Sequence, residues 1–370
     1  MIVGVPKEIK VEEYRVGMTP SGVNEFVKAG HMVLTQENAG TGSGVTDDEF
    51  RAAGAGIVES ASELYARADM IVKVKEPQKS EYEMLRAGQI LYAYLHLAPA
   101  PELTAALLER NVIGVAYETI ELPDGSLPLL APMSEVAGRM AVQAGAHFLE
   151  KTQGGRGVML GGVPGVSPAN VVALGTGVVG SSAIKIAVGM GARVLALGRN
   201  LARLTYLDDL YRGRVTTLAL NSHTVAESVA EADLVIGGLL APGALAPKVV
   251  TREMIRAMKP GSVIVDVSID QGGCVETSRP TSHRDPVFVE EGVIHYCVTN
   301  IPGIVSRTST FALTNATVPY GLKLAGGSME KIVTSDPALA LGVNVYKGKV
   351  THPAVARDLG YPYHDVASLV

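Results

Sequence analysis

Cysteine is almost missing from this 370-residue chain, which carries only Cys274 and Cys297. Two thiols exclude a disulfide framework and a cysteine-rich metal site. No cluster of ligating residues has zinc spacing, and Gly-x-x-x-x-Gly-Lys-Ser/Thr does not occur, which argues against a P-loop. Basic runs and basic-aromatic patches are also lacking: 32 Lys and Arg stand against 37 Asp and Glu, a net charge of −5, so nothing favours a nucleic-acid partner. The one long uncharged stretch, Gly157 to Ile184, is interrupted by Pro164, Pro168, Asn170 and several glycines, and reads as strand, turn and helix rather than a membrane span. Met1-Ile2-Val3-Gly4-Val5-Pro6-Lys7 has neither the basic nor the long apolar region of a signal peptide. These absences lead us to expect a cytoplasmic, membrane-free protein, and the length suggests two or three domains.

Glycine, by contrast, is plentiful at 41 residues, and three of them are spaced informatively. In Val171-Val172-Ala173-Leu174-Gly175-Thr176-Gly177-Val178-Val179-Gly180 a buried strand breaks into a turn and a helix-like segment continues to Met190. Gly175, Gly177 and Gly180 match the dinucleotide fingerprint: one for the tight turn, one for approach of the pyrophosphate, one for close packing of helix on strand. The helix start offers free N–H groups to phosphate. A second strand, Arg193 to Leu197, ends where that fingerprint expects a ribose-binding carboxylate. Gly198 stands there instead, followed by Arg199 and, one helical turn on, Arg203. A missing carboxylate beside arginines suits a 2′-phosphate, so NADP(H) stays open beside NAD(H), although solvated helix-start arginines would look the same.

Apolar runs alternate with helical segments in two series. The first has strands at Ile2–Val5, Met32–Thr35, Met70–Val74, Ile90–Tyr94 and Val112–Ala116; the second runs from Asn170 to about Tyr296. Such alternation predicts an α/β protein of two doubly wound parallel-sheet, Rossmann-like domains. Long helices, Met133 to Gln153 and Ser309 to Leu324, are expected to join them. The C-terminal segment then returns to the first domain, giving residues 1–128 with 307–370 as the substrate and catalytic domain and 129–306 as the dinucleotide domain. A cleft is expected between them, outside the carboxyl ends of the strands.

Polar residues in the first series sit where an apolar pattern would not call for them. Lys75 follows the strand Met70–Val74, His96 follows Ile90–Leu95, and Arg15 lies in the loop after the first strand. A guanidinium, an ammonium and an imidazole together suit a small 2-oxo acid: Arg for the carboxylate, Lys for the carbonyl, His for proton exchange near neutral pH. Taken singly, each could be an ordinary solvated side chain, as His31, His147, His223 and His352 are read. In the second series, Asp266 is flanked by apolar residues and reads as a structural carboxylate, whereas Asp270, at the exit before Gly272-Gly273, has the stronger claim to function.

In these segments the chain resembles the bacterial L-alanine dehydrogenases and, more distantly, the soluble nucleotide-binding part of proton-translocating transhydrogenase. The resemblance runs through Val5-Pro6-Lys7-Glu8, Val72-Lys73-Val74-Lys75-Glu76-Pro77, Tyr94-Leu95-His96-Leu97-Ala98, Tyr117-Glu118-Thr119, Pro132-Met133-Ser134, Gly154-Gly155-Arg156-Gly157, Gly161 to Val166, Asp266 to Cys274 and Asn315 to Tyr320. It implies reversible oxidative deamination of L-alanine to pyruvate and ammonia by a cytoplasmic homohexamer. Arg15 and Lys75 are implied to bind substrate, His96 to be the acid/base and Asp270 the second catalytic residue. For the coenzyme it implies Ser134, Val178, Val179, Arg203, Leu239, Leu240 and Arg279, with the stretches Val267-Ser268-Ile269-Asp270 and Val298-Thr299-Asn300-Ile301. Positions 198 and 220 normally carry aspartate and serine in that family; Gly198 and Leu220 here leave NAD(H) against NADP(H) open. Other readings are a dehydrogenase of a bulkier amino acid, as saccharopine dehydrogenases are, and a non-catalytic dinucleotide-binding subunit, for which Arg15, Lys75 and His96 would have no use.

Overall fold

The computed structural model describes residues 1–239 and 245–370, and the chain divides into two compact units: Met1–Met133 with Gly303–Val370, and Ser134–Pro302. Six strands come from the first stretch: β1 (Ile2–Val5), β2 (Met32–Gln36), β3 (Gly56–Val58), β4 (Met70–Val72), β5 (Ile90–Ala93) and β6 (Ile113–Ala116). Seven belong to the second unit: β7 (Asn170–Leu174), β8 (Arg193–Gly198), β9 (Val215–Ala219), β10 (Leu234–Gly237), β11 (Val263–Asp266), β12 (Val287–Glu290) and β13 (Val293–Tyr296). The returning chain supplies β14 (Val343–Tyr346) and β15 (Lys349–Val350).

Both sheets wind the same way. The first has the order β15-β14-β6-β5-β4-β1-β2-β3 and the second β12-β13-β11-β10-β7-β8-β9. Each therefore starts in the middle, runs outward through two strands, and resumes on the other side of its first strand, so the order reverses between β1 and β4 and between β7 and β10. Open α/β sheets bind ligands at such reversals, outside the carboxyl ends of the strands.

The strands read as continuous apolar runs because both faces are covered. In the second unit Val171 and Ala173 of β7, Leu234 and Ile236 of β10, and Val263 and Val265 of β11 join one buried cluster. Their neighbours Val172, Leu174, Val235 and Ile264 join another. The alternation is the period of two of a pleated strand applied to a sheet with no wet side.

Departures from the sequence-based expectation have local causes. The sheets are not purely parallel: β14 pairs antiparallel with β6 and β15, and β12 antiparallel with β13, all at sheet edges. β4 ends at Val72 rather than Val74: Lys73 N–H still donates to Tyr92 O at 3.1 Å, but the amides of Val74 and Lys75 turn to the Glu8 side chain, Val74 N–H donating to Glu8 Oε1 at 2.6 Å. The first long helix spans Ala131–Phe148, starting before Met133 because Pro132 is tolerated in a first turn. It gives way to a 3-10 turn at Lys151–Gln153, closed by Gly154 in the left-handed region. The second spans Ser306–Gly326 and carries Pro319 inside it.

Candidate active site

In the first unit, charged side chains gather at the carboxyl ends of β1, β4, β5 and β6. Directly after β4, Lys73 is fully buried, with Nζ 3.1 Å from Glu8 Oε2 and 3.0 Å from Glu81 Oε1. Tyr65 Oη donates to the same Glu81 oxygen at 2.8 Å. Burial opposes the Lys73 charge, but the two carboxylates outweigh it and hold the ammonium above its ordinary value. Burial pushes the Glu8 carboxyl up in spite of Lys73.

Two residues along, Lys75 is placed differently. It is half-buried, and among the described residues its ammonium has no hydrogen-bond or ion-pair partner. Burial lowers its pKa, and the positive charges of Arg15 and Lys10 lower it further. Lys10 is itself paired with Glu76. A lysine that keeps its proton less firmly and has nothing to hold is poised to donate to a ligand oxygen.

Arg15 is 2% exposed. Its Nε and Nη2 donate to Glu13 at 2.7 and 2.6 Å, a two-point pair, and Nη1 donates to Met133 Sδ at 3.1 Å. Burial works against this charge, and Glu13 more than restores it, so the guanidinium sits above its usual pKa. The sequence suggested an open fork for a substrate carboxylate; the structure shows the Nε–Nη2 edge already engaged by Glu13, which makes Arg15 a fixed cation.

His96 follows β5 with a φ of +46°, in the left-handed region that histidine enters more readily than most residues. Glu118, after β6, holds it there: Oε1 accepts the His96 N–H at 2.7 Å, both oxygens accept the Leu95 N–H, and Oε1 lies 3.8 Å from His96 Nδ1. Tyr94 stacks on the imidazole at 5.9 Å with its ring tilted only 10°, and Tyr94 Oη donates to Leu129 O at 2.6 Å. The His96 side chain remains 44% exposed. Arg15 acts electrostatically on both Lys75 and Tyr94, so the structure brings these predicted residues into one polar cluster.

The second unit presents a different kind of site. Gly175 has φ +103°, and a Cβ there would lie 2.5 Å from Gly238 O. A Cβ at Gly180 would fall 1.9 Å from Gly175 O, so the helix Val178–Gly189 can press onto the turn only with glycine at 180. At Gly177 an added Cβ would meet nothing within 4 Å among the described residues. Gly177 is also the N-cap and has no side-chain cap, which leaves the first-turn N–H groups facing open space. These observations fit a dinucleotide pyrophosphate held by backbone donors and the helix dipole.

Other predicted coenzyme residues surround this turn unevenly. Val178 is exposed and Val179 half-buried; Arg203 is tied to the turn by Nε to Thr176 O at 3.3 Å and Nη2 to Ser181 Oγ at 2.9 Å. Ser268 Oγ donates to Leu239 O at 2.8 Å, placing the 3-10 turn Val267–Gln271 beside the end of β10. Leu240 lies outside the described residues. Arg199 and Leu220 share a cavity of about 240 Å³ with Asn221, Ser222 and Lys248. The Arg279 guanidinium lies 4.2 Å over the Phe288 ring. Ser134 is half-buried, Ile269, Val298 and Ile301 are buried, Thr299 is exposed, and Asn300 has φ +59°. Asp270 is exposed on its turn. Asp266 is fully buried and accepts from the amides of Ser268, Cys274 and Val275 and from Ser278 Oγ, which gives it structural work.

Sequence reasoning gave Glu118, Glu13 and Glu8 no roles. Glu8 and Glu118 lie in segments that carry the family resemblance and Glu13 in a loop, and pairing across strands or back along a loop leaves no pattern in a single sequence. Among the described residues no group of three or more His, Cys, Asp or Glu could hold a metal, and no helix is long and apolar enough to cross a membrane.

A doubly wound sheet, a glycine turn opening onto an uncapped helix, and a second doubly wound unit rich in paired charges define a two-domain nucleotide-binding α/β protein. The chain belongs to the Alanine dehydrogenase/PNT family, whose N-terminal domain matches residues 4–137 and whose C-terminal domain matches 141–353. It is 57% identical over 364 residues to an alanine dehydrogenase of Methanococcus maripaludis, covering 98% of both chains. It is 50% identical over 370 residues to that of Mycobacterium tuberculosis, covering 100% of both. A solved L-alanine dehydrogenase superposes with a TM-score of 0.95 at 52% identity, over 97% of this chain and 99% of that one. A transhydrogenase from Sinorhizobium meliloti gives 0.83 at 26% identity, over 95% and 100%.

Proposed function

We propose that this chain is an L-alanine dehydrogenase, interconverting L-alanine and water with pyruvate and ammonia. Besides the family, the observation that carries this reading is Lys75: a half-buried ammonium with no hydrogen-bond or ion-pair partner among the described residues, a lowered pKa, and fixed Arg15 beside it. A nicotinamide dinucleotide held at the Gly175–Gly180 turn would supply the hydride acceptor for oxidation at the alanine Cα, and the hydride donor in the reverse direction. Arg15, its charge held by Glu13, attracts the substrate carboxylate. Lys75 donates to the substrate oxygen as negative charge develops there. His96 takes a proton from the water that adds to the imine carbon, and Glu118 fixes the backbone that carries it by accepting the His96 and Leu95 N–H groups. Asp270 assists with protons on the amino group. Loss of ammonia from the resulting carbinolamine leaves pyruvate.

Coenzyme choice follows from the end of β8. A carboxylate at 198 would bind ribose hydroxyls and repel a 2′-phosphate; Gly198 does neither, and exposed Arg199 lines the adjacent cavity without a hydrogen-bond or ion-pair partner among the described residues. Both NAD(H) and NADP(H) are therefore accepted, with the coenzyme resting on Ser134, Gly175 to Gly180, Arg203, Leu239, Arg279 and the stretches 267–270 and 298–301. By the family resemblance the enzyme works as a cytoplasmic homohexamer, which light scattering tests. The activity is checked by following coenzyme absorbance with alanine, glutamate and saccharopine in turn. Turnover with alanine alone is expected. Turnover only with a bulkier amino acid, or none with any, overturns the assignment.

A further inference from the structure

We propose that Thr176, and not position 198 alone, sets how this chain treats the adenosine ribose: residues 176 and 198 share one volume, and the threonine already fills it. The proposal rests on the dinucleotide reading of the Gly175–Gly180 turn. Gly198 closes β8, is buried, and does not have a positive φ, so nothing in its backbone conformation calls for glycine. Space does. A Cβ at 198 would lie 2.7 Å from Thr176 Oγ1 and 2.9 Å from Thr176 Cγ2, with Leu204 Cδ2 at 3.3 Å.

Thr176 cannot easily move aside. It is 6% exposed, and its carbonyl accepts from Ser181 Oγ at 3.1 Å and Arg203 Nε at 3.3 Å. The turn is pinned from the other side by Gly175 N–H donating to Leu197 O at 2.8 Å. A β-branched side chain on a fixed backbone has few rotamers to choose from. A carboxylate at 198 therefore reaches a ribose only if residue 176 is cut back first. With threonine at 176 and glycine at 198, neither position offers a carboxylate to accept from the 2′-hydroxyl or to oppose a 2′-phosphate.

Four proteins test this by fluorescence titration with NADH and NADPH and by thermal melting: wild type, Thr176→Ala, Gly198→Asp and the double variant. Wild type should bind both coenzymes. Gly198→Asp alone should melt roughly 2–8 °C lower through overpacking and gain no NADH affinity. The double variant should recover most of that melting loss and bind NADH about tenfold or more tighter than NADPH, the scale of a hydrogen bond to a charged group. If Gly198→Asp alone matches the double variant in melting and in NADH affinity, the two positions are independent and the proposal falls. If wild type binds neither coenzyme, the dinucleotide reading itself falls, a result separable from the first because it appears before any substitution.

Discussion

After β1 the chain uses residues 6–19 to reach its first helix at Pro20, whereas after β7 it uses only Gly175, Thr176 and Gly177 to reach Val178. The two sheets wind identically, yet the long connection carries Glu8, Glu13 and Arg15 and the short one exposes bare backbone. The difference separates two ways of receiving a negatively charged ligand. Backbone N–H groups at an uncapped helix start are fixed dipoles that do not titrate. Side chains such as Lys75 and His96 bring full charges and movable protons, and they need partners to hold them in position. Proton chemistry calls for the second kind, and tethering a pyrophosphate is served by the first.

Substitutions can break this contrast, and the largest expected effect is on proton transfer. His96→Ala should lower turnover by roughly 10²–10⁴-fold while leaving the NADH dissociation constant nearly unchanged. A loss confined to coenzyme affinity would show that the two units do not divide the work. Next in size, Lys73→Ala should destabilise the protein by about 3–5 kcal/mol, because it strands the buried Glu8 and Glu81 carboxylates, and denaturant unfolding measures it. Replacing Lys73, Glu8 and Glu81 together by apolar residues of similar size should be far less damaging.

Gly180→Ala should cost about 1–3 kcal/mol and weaken coenzyme binding, since its Cβ meets the Gly175 carbonyl, and pyruvate protection of Lys75 against acylation should survive it. Arg15→Lys keeps the charge but loses the two-point pair with Glu13, so the KM for pyruvate should rise roughly tenfold, read in steady-state kinetics.

The smallest expected effect carries an unusual sign. Lys75 has a folded pKa below its unfolded value, so the folded protein holds that proton less well. The resulting penalty is fully present below the folded pKa and is relieved as pH rises through it. Lys75→Met should thus raise the melting temperature slightly at neutral pH, which a thermal melt measures. Lys73 behaves oppositely: its raised pKa gives stability that is present below the unfolded pKa and lost as pH rises through the folded one.

Much of the fold was legible because strands covered on both faces print themselves as apolar runs. Ile2–Val5 and Arg193–Leu197 needed no other signal. The short edge strands β3, β12 and β15 were not legible, since an edge strand of two to four residues has little apolar pattern to show. In the candidate site, Arg15, Lys75 and His96 stood out as polar interruptions at strand ends. Glu118 did not, because its task is done across two strands, and the pairing of Arg15 with Glu13 could not be told from an exposed loop charge. The crowding between Thr176 and Gly198 was out of reach in principle: it is a distance between two turns, and a glycine in sequence does not say whether it is there for its torsion or for its size.

Gly177 shows where folding and ligand use impose separate constraints on one short turn. Among the described residues an alanine side chain there would meet nothing within 4 Å, while at Gly180 it would collide with the backbone. A library of variants scored only for cellular abundance should accept side chains at 177 and reject them at 180. The same library scored for growth that depends on coenzyme turnover should reject both. The gap between the two scores at a single position would mark the surface where the ligand, rather than the protein, fills the space.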